Sequence, residues 1–191
     1  KEDENDKIAS ICTELVKTDG NDVVIAINKY SVPRLHFIAE KAVIYGRASV
    51  VHTCTNKYIL EKGYENPQLK YAMEEIALEA MARGNLEVCK AFLSKAMWDT
   101  YDVNTQACIY SLMMHRSGFN TRTELTSYIE QEKLNIKEAV YLKYLEMNNG
   151  RNIVIDQINA LNPSLKQSED SLAHATNSRF MEGSIHITPD D

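Results

Sequence analysis

The sequence predicts a nearly all-α protein built from stacked helix-turn-helix hairpins. Apolar residues recur at helical spacing before and after a glycine in five places, among them ALEAMARGNLEVCKAFL at 77–93. No segment keeps the sustained alternation of apolar and polar residues that a half-buried strand requires. These two observations favour helical hairpins over a β or mixed fold.

Five of the seven glycines stand between two apolar-periodic segments, and their spacing indicates a repeat. They are separated by 26, 38, 34 and 32 residues and are Gly20, Gly46, Gly84, Gly118 and Gly150. Glycine is the usual residue just past a helix because the left-handed backbone there carries no steric penalty for it. Recurrence at roughly 33 residues is typical of helical-hairpin arrays. The array is therefore expected to be a short α-solenoid.

The hairpin over residues 69–93 is the clearest. Its two apolar stripes are Ile76, Ala77, Ala80 and Met81 before the glycine, and Leu86, Cys89, Phe92 and Leu93 after it. Similar stripes run through 8–16 and 134–147. Ala42 and Ala80 hold the same place relative to their glycines, where a small side chain lets two helices approach closely. Pro33 and Pro67 suit helix starts, since the first turn tolerates a missing N–H.

Three regions are predicted along the chain. Residues 1–7 are a charged N-terminal extension, 8–162 a single helical-repeat domain, and 163–191 a polar, acidic, loosely ordered tail. Ile185 and Ile187 alternate with polar residues near the end of the tail. That pattern also allows strand addition to a partner or to the body of the chain itself.

Composition and charge narrow the classes of partner. The net charge of −6 lies mostly at the two ends, and the body is nearly neutral. No cluster of Lys and Arg forms the basic footprint of duplex binding, which disfavours nucleic acid as the partner. No apolar run of about 18 residues predicts a membrane span.

Cysteine usage and the first residues indicate an intracellular, cytoplasmic protein. The stretch KEDENDK is charged and does not resemble a secretory signal peptide. The four cysteines lie far apart and form no CxxC pair. They are expected to be free thiols, mostly buried, in a reducing compartment.

At GNLEVCKAFL the chain resembles a known family. ALEAMARGNLEVCKAFL is similar to the two helices of an ankyrin repeat, and the good match covers residues 72–93. Pro33-Arg34-Leu35-His36, followed by Ala39, resembles the Thr-Pro-Leu-His-x-Ala opening of that repeat, and the stretch DVN at 102–104 is similar to its Asp-x-Asn. The resemblance is to divergent ankyrin-like arrays of some large DNA viruses and bacterial effectors. It implies protein–protein recognition, with His36 fixing a helix start by hydrogen bonding.

No motif names a reaction, so no catalytic, cofactor-binding or metal site is predicted. The sequence has no nucleophile elbow, Gly-rich phosphate loop or zinc-protease motif. His52 and Cys54 are two soft ligands, but structural zinc requires four. Glu74 and Glu75 diverge by about 100° on a helix and belong to a solvated face.

Aromatic residues between the hairpins are the candidate partner-binding residues. They are Tyr58, Tyr64, Trp98 and Tyr101. Tyr and Trp offer rigid area with a polar tip and are enriched at interaction hot spots. The alternative is that they pack the core between repeats, and Tyr141 and Tyr144 are expected to be core residues.

The sequence therefore predicts a non-enzymatic interaction module or adaptor, which binds a partner protein through its concave face and inter-hairpin segments. The alternatives are a compact helical RNA-binding or nucleocapsid-type assembly protein and an uncharacterised enzyme. The positions of the arginines near the repeat glycines distinguish these alternatives. If these arginines line one edge of the stack, the RNA-binding alternative is favoured. These arginines are Arg47, Arg83, Arg116, Arg122 and Arg151.

Overall fold

A computed structural model of the chain describes residues 4–115, 119–148 and 187–188. This part is almost entirely helical, as predicted. The helices are α1 (Glu4–Leu15), α2 (Gly20–Lys29), α3 (Leu35–Ile44), α4 (Ala48–Leu60), α5 (Pro67–Arg83), α6 (Leu86–Phe92), α7 (Lys95–Trp98), α8 (Val103–His115), α9 (Phe119–Gln131) and α10 (138–148). A 3₁₀ turn lies at Gly63–Glu65. None of the described helices is long and apolar enough to cross a membrane.

The helices pack as hairpins whose members also contact the corresponding helices of the neighbouring hairpins. The hairpins are α1 with α2, α3 with α4, α5 with α6, and α8 with α9. Helix α1 also contacts α3, α3 contacts α5, and α5 contacts α8, and these four helices form the first-helix row. Likewise α2 contacts α4, α4 contacts α6, and α6 contacts α9, and these four helices form the second-helix row. Each inner helix therefore packs against its hairpin mate and against a helix on either side.

The hairpin that resembles an ankyrin repeat is helical on both sides of its glycine. Pro67 occupies the first turn of α5, behind an Asn66 cap whose side chain accepts from the N–H groups of Gln68 and Leu69. Gly84 ends α5 with φ 75°, in the left-handed region that favours glycine. The Asn85 side chain then caps α6 by accepting from the N–H of Val88 at 3.2 Å.

Not every predicted boundary agrees with the structure. Gly46, with φ 69°, follows α3 as expected. Gly20 instead is the first residue of α2, because the Asp19 carboxylate accepts the N–H of Asn21 and starts the helix there. Helix α1 begins at Glu4, inside the predicted extension 1–7. Gly118 and Gly150 lie outside the described residues.

The core lies between the two rows and includes most of the predicted apolar stripes. Buried stripe residues are Cys12, Val16, Ile76, Ala77, Ala80, Met81, Cys89, Phe92, Leu93, Leu134, Val140 and Tyr144. The Sγ atom of Cys89 lies 3.3 Å from the carbonyl oxygen of Ala80, which keeps α6 close to α5. The predicted small residue Ala42 is also fully buried. Both predicted small residues, Ala42 and Ala80, are thus fully buried between helices.

A short parallel pairing brings part of the predicted tail to the body. Strand β1 (Ile136–Lys137) pairs with β2 (Ile187–Thr188), with Ile136 opposite Ile187. This agrees with the alternative in which the end of the chain docks on its own body. The rest of the predicted tail, 163–191, lies outside the described residues.

Candidate functional site

The four aromatic residues predicted to bind a partner lie mostly in the core. Tyr58, Trp98 and Tyr101 are 2%, 1% and 5% exposed, and Tyr64 is half-buried. The rings meet in pairs. Tyr58 and Tyr64 pack edge to face with centroids 6.3 Å apart, and Trp98 and Tyr101 do so at 6.1 Å.

The polar tips of Trp98 and Tyr101 are satisfied by the main chain. The indole N–H of Trp98 donates to the carbonyl oxygen of Asn135 at 3.1 Å, just before β1. The Tyr101 hydroxyl donates to the carbonyl oxygen of Phe92 at 2.8 Å. Burial raises the pKa of the Tyr101 hydroxyl well above its ordinary value. This placement favours the core interpretation of the aromatic residues over an exposed partner patch.

Neither His52 as a metal ligand nor His36 as a residue that fixes a helix start is supported by the structure. The Nε2 atom of His52 lies 3.1 Å from the carbonyl oxygen of Glu87, and Cys54 is fully buried. No group of three His, Cys, Asp or Glu side chains among the described residues is arranged to hold a metal ion. His36 lies in α3, but its Nδ1 is buried without a hydrogen-bond partner there. The predicted role of His36 in fixing the helix start by a hydrogen bond is therefore wrong for that atom.

The arginines near the repeat glycines serve helix ends and ion pairs. Arg47 donates to the carbonyl oxygens of Val16 and Lys17, at the end of α1. Arg122 donates to the carbonyl oxygen of Met114 in α8 at 3.1 Å. Arg83 pairs with Glu79 at 2.7 Å on the surface of α5. Arg116 and Arg151 lie outside the described residues, and the other three give no support to a shared basic edge.

The first-helix row carries large apolar side chains on its outer face. In α3, Phe37 and Ile44 are 48% and 39% exposed and are separated by two turns, so they lie on one side of the helix. In α5, Tyr71 is 67% exposed. The inner side of α3 is buried through Ile38 and Ala42. The three exposed side chains therefore point away from the core.

A groove opens between α3 and α5 beside these side chains. It has a volume of about 340 Å³, and we call it the α3–α5 groove. Its lining residues are His36, Glu40, Ile44, Tyr71, Ala72, Glu75, Ile76 and Glu79. Apolar side chains come from both helices, and three carboxylates stand among them. No Lys or Arg is among the lining residues.

The carboxylates of α5 divide between two sides of the helix. Glu74 pairs with Lys70 and accepts from the Thr105 hydroxyl at 3.1 Å, so it faces α8. Glu75 and Glu79 line the α3–α5 groove instead. The sequence prediction that Glu74 and Glu75 diverge is confirmed, but the prediction that both lie on a solvated face is wrong for Glu74, whose side chain is only 14% exposed. Glu75 is exposed at the groove and forms no ion pair within the described part of the chain, whereas Glu79 contacts Arg83.

A second groove lies on the other side of the α3 ridge. This α1–α3 groove has a volume of about 290 Å³, and its lining residues are Ala9, Ser10, Thr13, Glu14, Arg34 and Phe37. It holds one basic and one acidic side chain, so its lining carries no net charge. Arg34 also pairs with Asp6 at 3.4 Å. The two grooves share α3, with Phe37 lining this one and Ile44 lining the α3–α5 groove, and they differ in charge.

Sequence reasoning missed this outer face. Tyr71, Glu75 and Glu79 follow one another at i, i+4 and i+8 of α5, which places them on one side of the helix. That spacing was available in the sequence. The side of α3 that forms the opposite wall of the groove could not be predicted, because it depends on which helices become neighbours in the fold. No family model, curated protein or solved structure gives a significant match to this chain.

Proposed function

We propose that this chain is a non-enzymatic protein-interaction module, an ankyrin-like or other α-solenoid that acts as an adaptor in the cytoplasm. The observation that carries the proposal is the outer face of the first-helix row, where Phe37, Ile44 and Tyr71 are exposed beside two grooves. Exposed apolar side chains gathered beside a concavity mark interaction surfaces more often than scattered ones do.

The packing pattern supports the array. Helices α1, α3, α5 and α8 contact in series, and so do their hairpin mates. Such hairpins bury their apolar faces on their neighbours and leave an extended surface for recognition. We propose that the first-helix row forms the concave face of the array and that the inter-hairpin segments border the bound partner. The buried free thiols Cys12, Cys54 and Cys89 fit a reducing compartment.

The test is affinity capture from a nuclease-treated cell lysate, with the full chain as bait. The first variant, Phe37→Ser/Tyr71→Ser, removes exposed apolar area from the first-helix row. The matched control, Ile25→Ser/Leu60→Ser, removes comparable area from the second-helix row, where these residues are 61% and 79% exposed. Circular dichroism establishes that both variants are folded.

We expect that a partner protein is captured by the original chain and by the control variant but not by Phe37→Ser/Tyr71→Ser. Equal recovery by both variants would contradict the proposed surface. Recovery that depends on nucleic acid, measured in a parallel lysate without nuclease, would move the function to the RNA-binding alternative.

A further inference from the structure

We infer that the α3–α5 groove binds a basic segment of a partner protein, in which one apolar side chain is flanked by Lys or Arg. The inference rests on the proposed interaction function and names the chemistry of the partner. Four features carry it: the apolar floor of the groove, its unbalanced charge, the exposure of its rim and the charge of the chain's own candidate segments.

The floor of the groove fits an apolar side chain. Ile76 is 6% exposed and lies at the bottom, while Ile44 and Tyr71 stand higher, at 39% and 67% exposure. An entering aliphatic or aromatic side chain would cover apolar surface on both α3 and α5. Burial of apolar area contributes about 25 cal/mol per Å². The Tyr71 ring supplies a rigid wall with a polar tip, as anchoring residues of interfaces commonly do.

The lining of the groove selects a cationic partner. Glu40, Glu75 and Glu79 carry three negative charges, and no Lys or Arg lines the groove to balance them. Arg83 neutralises one of the three by pairing with Glu79. Glu40 and Glu75 belong to different helices, on opposite walls. A partner with basic side chains on both sides of its apolar anchor would reach both carboxylates at once.

The α1–α3 groove lacks the excess negative charge of the α3–α5 groove. The α1–α3 groove is lined by Glu14 and Arg34, which balance each other. Both grooves share α3 and an apolar contribution, since Phe37 lines one and Ile44 the other. Charge complementarity across an interface sets partner choice and association rate. The α3–α5 groove is therefore the one that discriminates in favour of basic segments.

The chain's own segments do not fit this groove. Residues 163–191 contain two basic and five acidic side chains, so the tail would bring like charge to the three carboxylates. A second copy of the chain carries a net charge of −6, which opposes its approach to an acidic groove. The occupant that matches the groove is therefore a separate, basic protein segment.

The experiment is a selection from a random twelve-residue peptide display library on the immobilised full chain. Counter-selection uses the variant Glu40→Gln/Glu75→Gln, which keeps the shape of the groove and removes two charges. The control variant Glu65→Gln/Glu130→Gln removes two exposed charges elsewhere. The most enriched peptide is then labelled, and its affinity for each variant is measured by fluorescence anisotropy at low and physiological salt.

The expected peptides carry a positive net charge around an aliphatic or aromatic residue and are lost in counter-selection. Glu40→Gln/Glu75→Gln should weaken the labelled peptide about five- to thirtyfold, since two exposed ion pairs are removed. Tyr71→Ser should weaken it about tenfold through lost apolar contact. The control variant should bind as the original chain does.

Other outcomes overturn the inference in distinguishable ways. Neutral or acidic peptides that depend on Tyr71 and not on the two glutamates would refute the basic partner and leave the interaction module standing. Peptides that bind all variants alike would refute the groove, and the module would then depend on the capture experiment alone. Displacement by a synthetic 163–191 peptide, or a dimer that Tyr71→Ser dissociates, would assign the groove to the chain itself.

Discussion

The Arg47 guanidinium joins the second hairpin to the first, with Nη2 donating a 2.7 Å hydrogen bond to the main-chain oxygen of Lys17. Its Nε donates a second bond, of 3.0 Å, to the main-chain oxygen of Val16. These oxygens lie just past the last turn of α1, where helix carbonyls lack partners within the helix and attract positive charge. A cation from the start of α4 therefore closes the end of α1.

Removal of this side chain should destabilise the stack. We expect Arg47→Ala to lower the free energy of unfolding by about 2–3 kcal/mol, since hydrogen bonds from charged groups contribute roughly 1.5–3 kcal/mol. Arg47→Lys should recover only part, because an ammonium lacks the planar fork that reaches both oxygens. The measurement is urea denaturation followed by circular dichroism.

The control for this prediction is Arg83→Ala. Arg83 pairs with Glu79 on the surface of its own helix, so the loss should stay below about 1 kcal/mol. If Arg47→Ala and Arg83→Ala lower the free energy of unfolding equally, the contact of Arg47 with the end of α1 stabilises the protein no more than a surface ion pair does.

Because Trp98 is buried, its side chain should contribute strongly to the free energy of unfolding. Trp98→Ala is expected to reduce the free energy of unfolding by about 3–5 kcal/mol, because it leaves a large cavity and removes the hydrogen bond to the carbonyl oxygen of Asn135. Phe37→Ala, at an exposed position, should change it by less than about 1 kcal/mol. Thermal or urea unfolding compares the two. A Trp98→Ala protein as stable as Phe37→Ala would return Trp98 to the list of surface candidates.

The helices were predictable from local features, whereas the outer face was not. Apolar spacing and the residue pair Gly84-Asn85 marked the α5–α6 hairpin, since turn and cap chemistry is local. Gly20 was predicted to follow a helix but begins α2, because the Asp19 cap starts the helix there. The exposure of Tyr71 and burial of Trp98 depend on contacts distant in sequence, such as the one to Asn135. A single sequence does not reveal such contacts.

Thiol reactivity should separate one cysteine from the other three. Cys12, Cys54 and Cys89 are at most 1% exposed, and burial raises the pKa of the Cys89 thiol to about 12. Cys108 is half-buried, so N-ethylmaleimide should modify it first in the folded protein. Its reaction should still be slow, because burial, Asp102 and Glu75 raise its pKa. Mass spectrometry of a labelling time course measures the order.

A Cys108→Ser variant is the control for the labelling and should show no modification until denaturant is added. Rapid labelling of Cys54 without denaturant would contradict the packing of α4 against α2, α3 and α6.

His36 should make stability depend on mildly acidic pH. Burial lowers the pKa of His36 below its ordinary value of 6.5, with Glu40 opposing the shift and Arg34 adding to it. The unfolded chain therefore binds the proton more readily, and stability should fall as pH drops below about 6.5. In His36→Gln this part of the pH dependence should disappear. Urea midpoints between pH 7.5 and 5 measure it.

Asp102 sets a separate window at lower pH and serves as the comparison. The N–H of Thr105, donating to its carboxylate at 2.8 Å, lowers the Asp102 pKa below its ordinary 3.8. Its contribution is present above that value and is lost as pH falls through the folded pKa. Asp102→Asn should alter only this acidic window. A pH profile between 7.5 and 5 that His36→Gln leaves unchanged would contradict the burial of the imidazole.

The central claim is that the outer face of the first-helix row is the binding surface. Hydroxyl-radical footprinting of the chain, alone and with its captured partner, measures it directly, because side-chain oxidation follows solvent exposure. We predict that oxidation of Phe37 and Tyr71 falls several-fold on binding, while Ile25 and Leu60 of the second-helix row stay unchanged. Protection of Ile25 and Leu60 with no change at Phe37 and Tyr71 would contradict the claim.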